Sequence, residues 1–420
     1  MSDPALIMRL VRRTFKYILK PTKLQRFALE RIIEQCRQLY NAALAQRIWA
    51  YRIDGKGLGL YDQYKELTEL RAADQAFSDV SVTAQRSALR RLDKAYENFF
   101  RRVKENHPKP GFPRFRGKER YDSFGIGRVL PQNEQDRHAH LRVPNVGLLR
   151  FKLHRRLRWK EWGAKKNEDG RAVEVKNTEL KRDARGRWYV CFSCDVGPAP
   201  APREPVRAIG VDLGLKEFAV LSDGTKIENP RFFRRAQERL ALRQQRLARR
   251  KKGSKSRARA RLLVARGHEK IKNQRRNFHI ETARELCKSY DLIAYEDLNV
   301  KGLVQSNLAK SISDAGWGNF TAILRCKAEE AGARVVAVNP RNTTQKCSQC
   351  GMLVPKTLAD RVHQCPFCGY VADRDVNAAL NILALGQSAV LLPGGKPPSK
   401  ARSRKRGRTV LVIQHDLVAV

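Results

Sequence analysis

Over residues 5–20 apolar and polar side chains roughly alternate, with Val11, Phe15, Tyr17 and Ile18 in the apolar set. This period-2 pattern predicts a strand that Pro21 closes. From Thr22 the period lengthens. Leu24, Phe27, Ile32, Cys36, Leu39 and Ala43 fall on one helical face, with Thr22 as candidate N-cap. A second long helix is predicted over about residues 81–105, where Leu89, Leu92, Tyr96, Phe99 and Val103 recur at near-heptad spacing. Segment 21–106 thus reads as a small helical bundle. The sequence HPKPGFPRFRGK (107–118) ends it, because three prolines and two glycines forbid a continuing helix. Short alternating runs follow in HLRVP, GLLRFKL, AVEVKNTELKRD and RWYVCFSCDVG, which predict strands of a β-barrel or sheet domain. The proline-rich PAPAPREP (198–205) reads as a boundary.

Beyond it the pattern changes to strands and helices in alternation. RAIGVDLG, KEFAVLSDG, DLIAYED and ARVVAVNP predict strands, the third an uninterrupted apolar run of the fully buried kind. A helix is expected from about Ser313 to Gly332. A last short helix is expected after Asp375, with Val376, Ala379, Leu380 and Leu383 on one face. A length of 420 residues is compatible with roughly two to four domains. No apolar run reaches the ~18 residues of a membrane span, and the N-terminus lacks the apolar core of a signal peptide.

Charge changes the picture most. Lys plus Arg number 85 against 42 Asp plus Glu, a formal net charge of +43. Such an excess repels itself in a folded chain unless a polyanion neutralises it, and nucleic acid is the usual one. A ribosomal or histone-like protein would be short beside this chain. An anionic membrane surface would call for a basic amphipathic or lipidated segment, and neither end carries a lipidation motif. Segment 231–276 concentrates the charge, with 19 Lys or Arg and only Glu238 and Glu269 as acids. It reads as two basic helices bent at Gly253–Ser254. Arg243, Arg246, Arg249, Arg250, Lys251, Lys252, Arg257 and Arg259 are its candidate nucleic-acid contacts, a solvated basic face being the alternative. Residues 107–116 mix basic and aromatic side chains with prolines and read equally as a nucleic-acid clamp or a plain linker.

Nine cysteines, an odd and scattered set, argue against a disulfide framework and for a reducing cytoplasm. Four are ordered. Cys347-x2-Cys350 and Cys365-x2-Cys368 stand fourteen residues apart, each pair followed by glycine. Two such turns present four thiolates, a closed tetrahedral set for structural Zn²⁺. Cys191 and Cys194 share the spacing but lie on a strand, where positions three apart face opposite sides.

Acids at element ends are the candidate chemistry. Asp212 ends one apolar strand, Glu296 and Asp297 end another, and Asp373 and Asp375 precede the last helix. Burying carboxylates there is costly unless a cation compensates. Hard oxygen ligands favour Mg²⁺ or Mn²⁺, and two such ions support phosphodiester hydrolysis. Taken singly, each acid serves equally well as a turn or cap residue. Their joint order suits a ribonuclease H-like sheet.

GVDLGLKEFAVLSDG, YEDLNVKGL, CSQCG…CPFCG and DRDVNAALNI, in this order, resemble the TnpB (OrfB) family of transposon-encoded proteins, whose architecture also underlies type V CRISPR effectors. YILKPTKLQ and GFPRFRGK agree with that family's N-terminal part, so the resemblance covers about residues 10–385. It departs in Leu303, where methionine is common, and the C-terminal tail lies outside the motifs. The resemblance implies an RNA-guided DNA endonuclease that pairs a guide RNA with double-stranded DNA beside a short flanking motif, with no small-molecule substrate. Carried over residue by residue, Asp212, Glu296 and Asp375 match the catalytic acids. The four cysteines match the zinc ribbon inserted before the last acid, and Asp373 is left as a turn or cap.

The expected architecture is multidomain α+β. Residues 1–20 and 107–205 form a wedge-like β-barrel interrupted by the helical recognition bundle 21–106. A RuvC-like nuclease domain covers 206–340 and 374–386, with the ribbon at 341–373 inserted. The basic tail 387–420 is expected to be disordered, and the prokaryotic cytoplasm, at the nucleoid, is the expected location. A guided DNA-binding regulator that does not cut, and a transposase acting directly on DNA strands, are the alternatives.

Overall fold

The first long helix begins where its cap residue dictates. In this computed structural model, which describes residues 10–135, 137–155, 173–357 and 360–391, strand β1 (Leu10–Ile18) leads to helix α1 (Lys23–Asp54). Thr22 Oγ1 accepts from the Gln25 N–H, and Gln25 Oε1 accepts from the Thr22 N–H, a closed capping box. The chain is mixed α/β and divides into two units, residues 1–200 with 236–273, and residues 201–235 with 274–420.

In the first unit α1 is followed by α2 (Leu60–Ala73), the short α3 (Gln75–Ser78) and α4 (Val82–Lys104). The buried stripe of α1 begins at Leu29 and runs through Ile32, Ile33, Cys36, Tyr40 and Leu44. Leu24 and Phe27, expected on that stripe, are exposed, because core burial along the helix starts only at Leu29. Arg47 is buried between helices, its Nε donating to Gln63 Oε1 at 2.9 Å and one amino group to Asp93 Oδ1 at 3.1 Å. A guanidinium so placed ties α1, α2 and α4 with charge-assisted bonds.

Strands β2 (Ser123–Gly127), β3 (Gln132–Gln135), β4 (His138–Val143), β5 (Gly147–Lys152), β6 (Glu174–Arg182) and β7 (Trp188–Pro198) follow in this unit. They form an antiparallel sheet β1-β7-β6-β2 and a second, β3-β4-β5. A bridge between Leu19 and Phe151 links the chain after β1 to β5. Helices and strands share one core, from Phe15 and Tyr17 through Leu29 and Leu89 to Trp188 and Phe192. Cys194 is buried and Cys191 half-buried, and both are free thiols.

The second unit is built on a sheet of order β10-β9-β8-β11-β12. Its strands are β8 (Ala208–Leu213), β9 (Glu217–Leu221), β10 (Lys226–Glu228), β11 (Leu292–Glu296) and β12 (Arg334–Val338). β8, β11 and β12 run parallel, while β9 and β10 are antiparallel to their neighbours. Every residue of β11 is buried. Helices α5 (Phe232–Ala248) and α6 (Lys255–Ser289) contain residues of both units. Segment 236–273, placed by the sequence reading with residues 206–340, groups instead with the first unit.

After β11 come α7 (Val300–Leu303), α8 (Ala309–Ala315) and α9 (Trp317–Ala331). The single helix expected over 313–332 is therefore two. Gly316 sits between them in the left-handed region, φ 67°, and turns the chain.

Strands β13 (Val362–Gln364) and β14 (Val371–Asp373) pair before α10 (Arg374–Leu391). Residues 387–391, expected to begin a disordered tail, are the last part of α10, and the remainder of that tail lies outside the described residues. Val376, Leu380 and Leu383 are only half-buried. The helix instead packs through Ala378, Ala379, Ile382 and Gly386. A Cβ on Gly210 of β8 would lie 2.0 Å from the Ala379 carbonyl oxygen, and one on Gly386 would lie 2.3 Å from Ala294 Cβ. Small residues thus let α10 seat directly on β8 and β11. No described helix is long and apolar enough to cross a membrane.

Candidate active site and metal centre

Parallel pairing of β8 and β11 sets Tyr295 against Val211. The next residue on each strand is an acid, so Glu296 and Asp212 stand at the C-terminal ends of adjacent strands. α10 crosses these strands and opens with Asp375 in its first turn. Asp212 and Asp375 line one cavity of about 490 Å³. Glu296 lines a smaller neighbouring one, and Leu213 and Trp317 line both.

Asp212 is held up at about 8, first by burial and then by the nearby Glu296 and Asp375 carboxylates, with Arg374 opposing. Burial also raises Glu296, which is 8 % exposed, while a hydrogen bond from Thr343 Oγ1 to its Oε1 (2.5 Å) works the other way. Arg374 Nε donates to Asp375 Oδ1 at 3.0 Å. Asp373 has a different role. Its Oδ1 accepts the Asp375 N–H at 2.8 Å as an N-cap, and its Oδ2 pairs with Lys226 Nζ at 2.7 Å. Burial works to raise the Asp373 carboxyl, but Lys226 and the helix N–H groups keep it low. Lys216, Lys356, Arg361 and Arg374 line the cavity holding Asp212 and Asp375.

The four ordered cysteines converge. Their sulfurs all lie within 4.8 Å of one another, with Cys347–Cys368 at 3.7 Å and Cys350–Cys365 at 3.5 Å. Zn–S bonds of about 2.3 Å imply tetrahedral edges of about 3.8 Å, so the set fits zinc. Two matching turns present it. Gly351 N–H donates to the Cys347 carbonyl and Gly369 N–H to that of Cys365, both at 3.0 Å. Gly351 and Gly369 take φ 78° and 74°, which a side chain would strain. Against burial, the backbone N–H groups of Cys368 and Phe367 bring Cys365 down to about 6.

The sequence reading missed residues that position the site. Thr343 orients Glu296. Asn377 is fully buried; its Nδ2 donates to the Lys346 carbonyl at 2.8 Å and its Oδ1 accepts the Ser348 N–H at 3.0 Å. Asn381, one turn on, donates to the carbonyls of Thr343 and Lys346 at 2.8 and 2.7 Å. Two asparagines at i, i+4 within an apolar helix, in DVNAALN, are the signal that could have revealed them. Of the eight basic candidates, Arg257 caps α5 by donating to the carbonyls of Leu247 and Arg250 at 2.9 and 2.8 Å, and Arg243 is half-buried. Arg246, Arg249, Arg250, Lys251, Lys252 and Arg259 are exposed.

A family profile described as "Probable transposase" (OrfB_IS605) matches residues 191–307, and a "Cas12f1-like, TNB domain" profile matches 317–382. A "Helix-turn-helix domain" profile matches 8–56, a range whose described residues hold β1 and the single helix α1. The solved structure of a Cas12f1 complex with guide RNA and target DNA is similar in fold, with TM-score 0.54, 18% identity, and 86% of this chain and 82% of that one covered. InsQ of Escherichia coli (strain K12) is 27% identical over 92% of this chain and 96% of its own length. A relative in Streptomyces pristinaespiralis, named "Putative RNA-guided DNA endonuclease" as InsQ also is, is 32% identical over 95% of each chain. With identity at that level along nearly the whole length, the chain belongs to the TnpB (OrfB) family.

Proposed function

We propose that this chain is the RNA-guided DNA endonuclease of a transposable element, with Asp212, Glu296 and Asp375 as the acids that hold its catalytic Mg²⁺ or Mn²⁺. One observation carries this reading: the parallel register sets Asp212 beside Glu296, and burial, with the added repulsion of the Glu296 and Asp375 carboxylates, holds Asp212 at about 8. Carboxylates that resist ionising together are what a divalent cation relieves, and all-oxygen donors suit a hard ion. When bound, such ions supply the charge stabilisation and nucleophile activation of phosphodiester hydrolysis.

The chain's own residues prepare that event. Thr343 fixes the Glu296 carboxylate and Arg374 that of Asp375. Lys216, Lys356 and Arg361 give the cavity cations for a phosphate backbone. Without a cation, burial and the neighbouring carboxylates favour the protonated Asp212 carboxyl.

The five-stranded sheet with α10 serves as the RuvC/ribonuclease H-like nuclease core, and the four cysteines as its structural zinc ribbon. In the first unit, β1 with β2–β7 serves as the wedge-like barrel and α1–α4 as the recognition bundle. Guide RNA and double-stranded DNA are the partners, and a heteroduplex of the two needs phosphates neutralised on both strands. Arg246, Arg249, Arg250, Lys251, Lys252 and Arg259, all exposed, supply cations for that neutralisation.

The test is to purify the full chain, sequence the RNA that accompanies it, and offer DNA complementary to its guide segment beside a library of flanking sequences. Mg²⁺-dependent cleavage that disappears in Asp212→Ala is expected. Guided binding without cleavage under any divalent ion would make the chain a regulator, and cleavage unchanged in Asp212→Ala would overturn the assignment of the acids.

A further inference from the structure

In the first unit, the apolar stripe of α4 runs past its buried segment, which ends at Leu92. Tyr96, Phe99 and Phe100 continue it, and the loop after the helix folds back on them. Phe112 meets Tyr96 and Phe99 edge-on at 5.6 and 5.2 Å, and Phe100 packs on both at 6.0 and 5.2 Å. Even so, Phe100, Phe112 and Phe115 remain 60%, 47% and 57% exposed.

The loop that presents two of these rings is pinned. Arg102 donates to the Pro110 carbonyl at 3.1 Å, and Pro113 is buried between the two phenylalanines. The Arg116 N–H donates to Asn41 Oδ1 at 2.8 Å, while its carbonyl accepts from Asn41 and Arg37 at 3.0 and 3.1 Å. Prolines and these bonds hold the rings outward, so their exposure is built in.

Residues 101–120 hold eight Lys or Arg and two acids. Both acids are paired, Glu105 with Arg101 and Glu119 with Arg261. Lys109 and Arg114, beside the rings, are exposed. Rigid exposed rings among cations match nucleotides in both parts: the ring takes the base face and the cation the phosphate. Phenylalanine has no hydrogen-bonding group, so such contacts are indifferent to sequence, and a paired duplex offers no free base face.

We propose that Phe100, Phe112 and Phe115 form a stacking plate for unpaired nucleotides of RNA or DNA, with Lys109 and Arg114 on the adjoining phosphates. This rests on the nucleic-acid reading above and adds a site to it.

The test uses the full chain freed of RNA by a high-salt wash. Twelve-nucleotide oligo-U and oligo-dT, each bearing one 5-iodouracil, are irradiated with it and the cross-linked peptides sequenced. Cross-links at Phe100, Phe112 or Phe115 are expected. Binding is then measured near 0.3 M salt, where phosphate contacts are weakened. Phe112→Leu/Phe115→Leu is expected to lose about tenfold or more for the single strands and to bind a blunt duplex as the wild type does. Phe112→Trp/Phe115→Trp retains single-strand binding, and matched melting midpoints show that the variants fold. Preference for oligo-U points to the guide RNA as the source of the bases, and preference for oligo-dT to a DNA strand. Cross-links confined to other segments overturn the proposal, as does a Leu variant that binds like the wild type or loses single strand and duplex equally. A wild-type chain that binds neither overturns the broader nucleic-acid reading as well.

Discussion

Replacing Asp212 with asparagine should stabilise the magnesium-free protein at alkaline pH while abolishing cleavage. The Asp212 carboxyl ionises at about 8 in the fold, against roughly 3.9 in an unfolded chain. Because the folded value is raised, the stability it contributes is fully present below about pH 4. It declines as pH rises and is gone once pH passes about 8. The difference corresponds to about 5.6 kcal/mol as an upper bound, and local relaxation and water entry, which bring the folded value itself down, leave roughly 2–3 kcal/mol. Asparagine keeps the shape without the charge, so the variant lacks this decline. For a unit of this size 2–3 kcal/mol is a shift of roughly 4–12 °C in melting midpoint. The assay compares wild type and Asp212→Asn from pH 5 to 9, without magnesium and with zinc retained. The variant's advantage over the wild type should widen from pH 5 to pH 9, and added Mg²⁺ should raise only the wild type. A gap equal at both pH values, or a variant no more stable at pH 9, would refute the account of an Asp212 carboxyl raised by burial and by its two acidic neighbours.

Asp373→Ala should lose about 1 kcal/mol as an N-cap yet keep cleavage within a few-fold, whereas Asp375→Ala should abolish it; guided-cleavage rates on both variants decide. Gly210→Ala should displace α10, since its Cβ would meet the Ala379 carbonyl oxygen at 2.0 Å, costing about 1–3 kcal/mol or more together with cleavage; melting and cleavage assays read both. Cys365→Ser should reduce zinc content from about one ion per chain towards none and open the ribbon to protease, as metal analysis and limited digestion would show.

Much of this was legible because the signals are local. Thr22 and Gln25 encode their cap in four residues, and the two Cys-x-x-Cys-Gly turns state a ligand set outright. The acids were visible as charges ending apolar runs, and the run LIAYE is buried throughout. What was not legible depends on partners far along the chain. Leu24 and Phe27 keep the period of α1 but lie before its core begins. α2 buries only Gln63 and Leu67, too few positions for a stripe. The face of α10 is chosen by glycines on its partners rather than by its own leucines. Thr343 acquires its role only because the fold brings it to Glu296, 47 positions earlier.

Asn377 and Asn381 also bear on how separable the cysteine-rich insertion is. Both amides are buried in the helix that carries Asp375, and both end on the chain leading into the first cysteine turn. Excising that insertion would strand two dry amide groups at roughly 1–3 kcal/mol apiece. It would also remove the backbone on which Thr343 stands. The ribbon is therefore no detachable module: a shortened protein would need new partners for these two side chains before its three carboxylates could stand where they do.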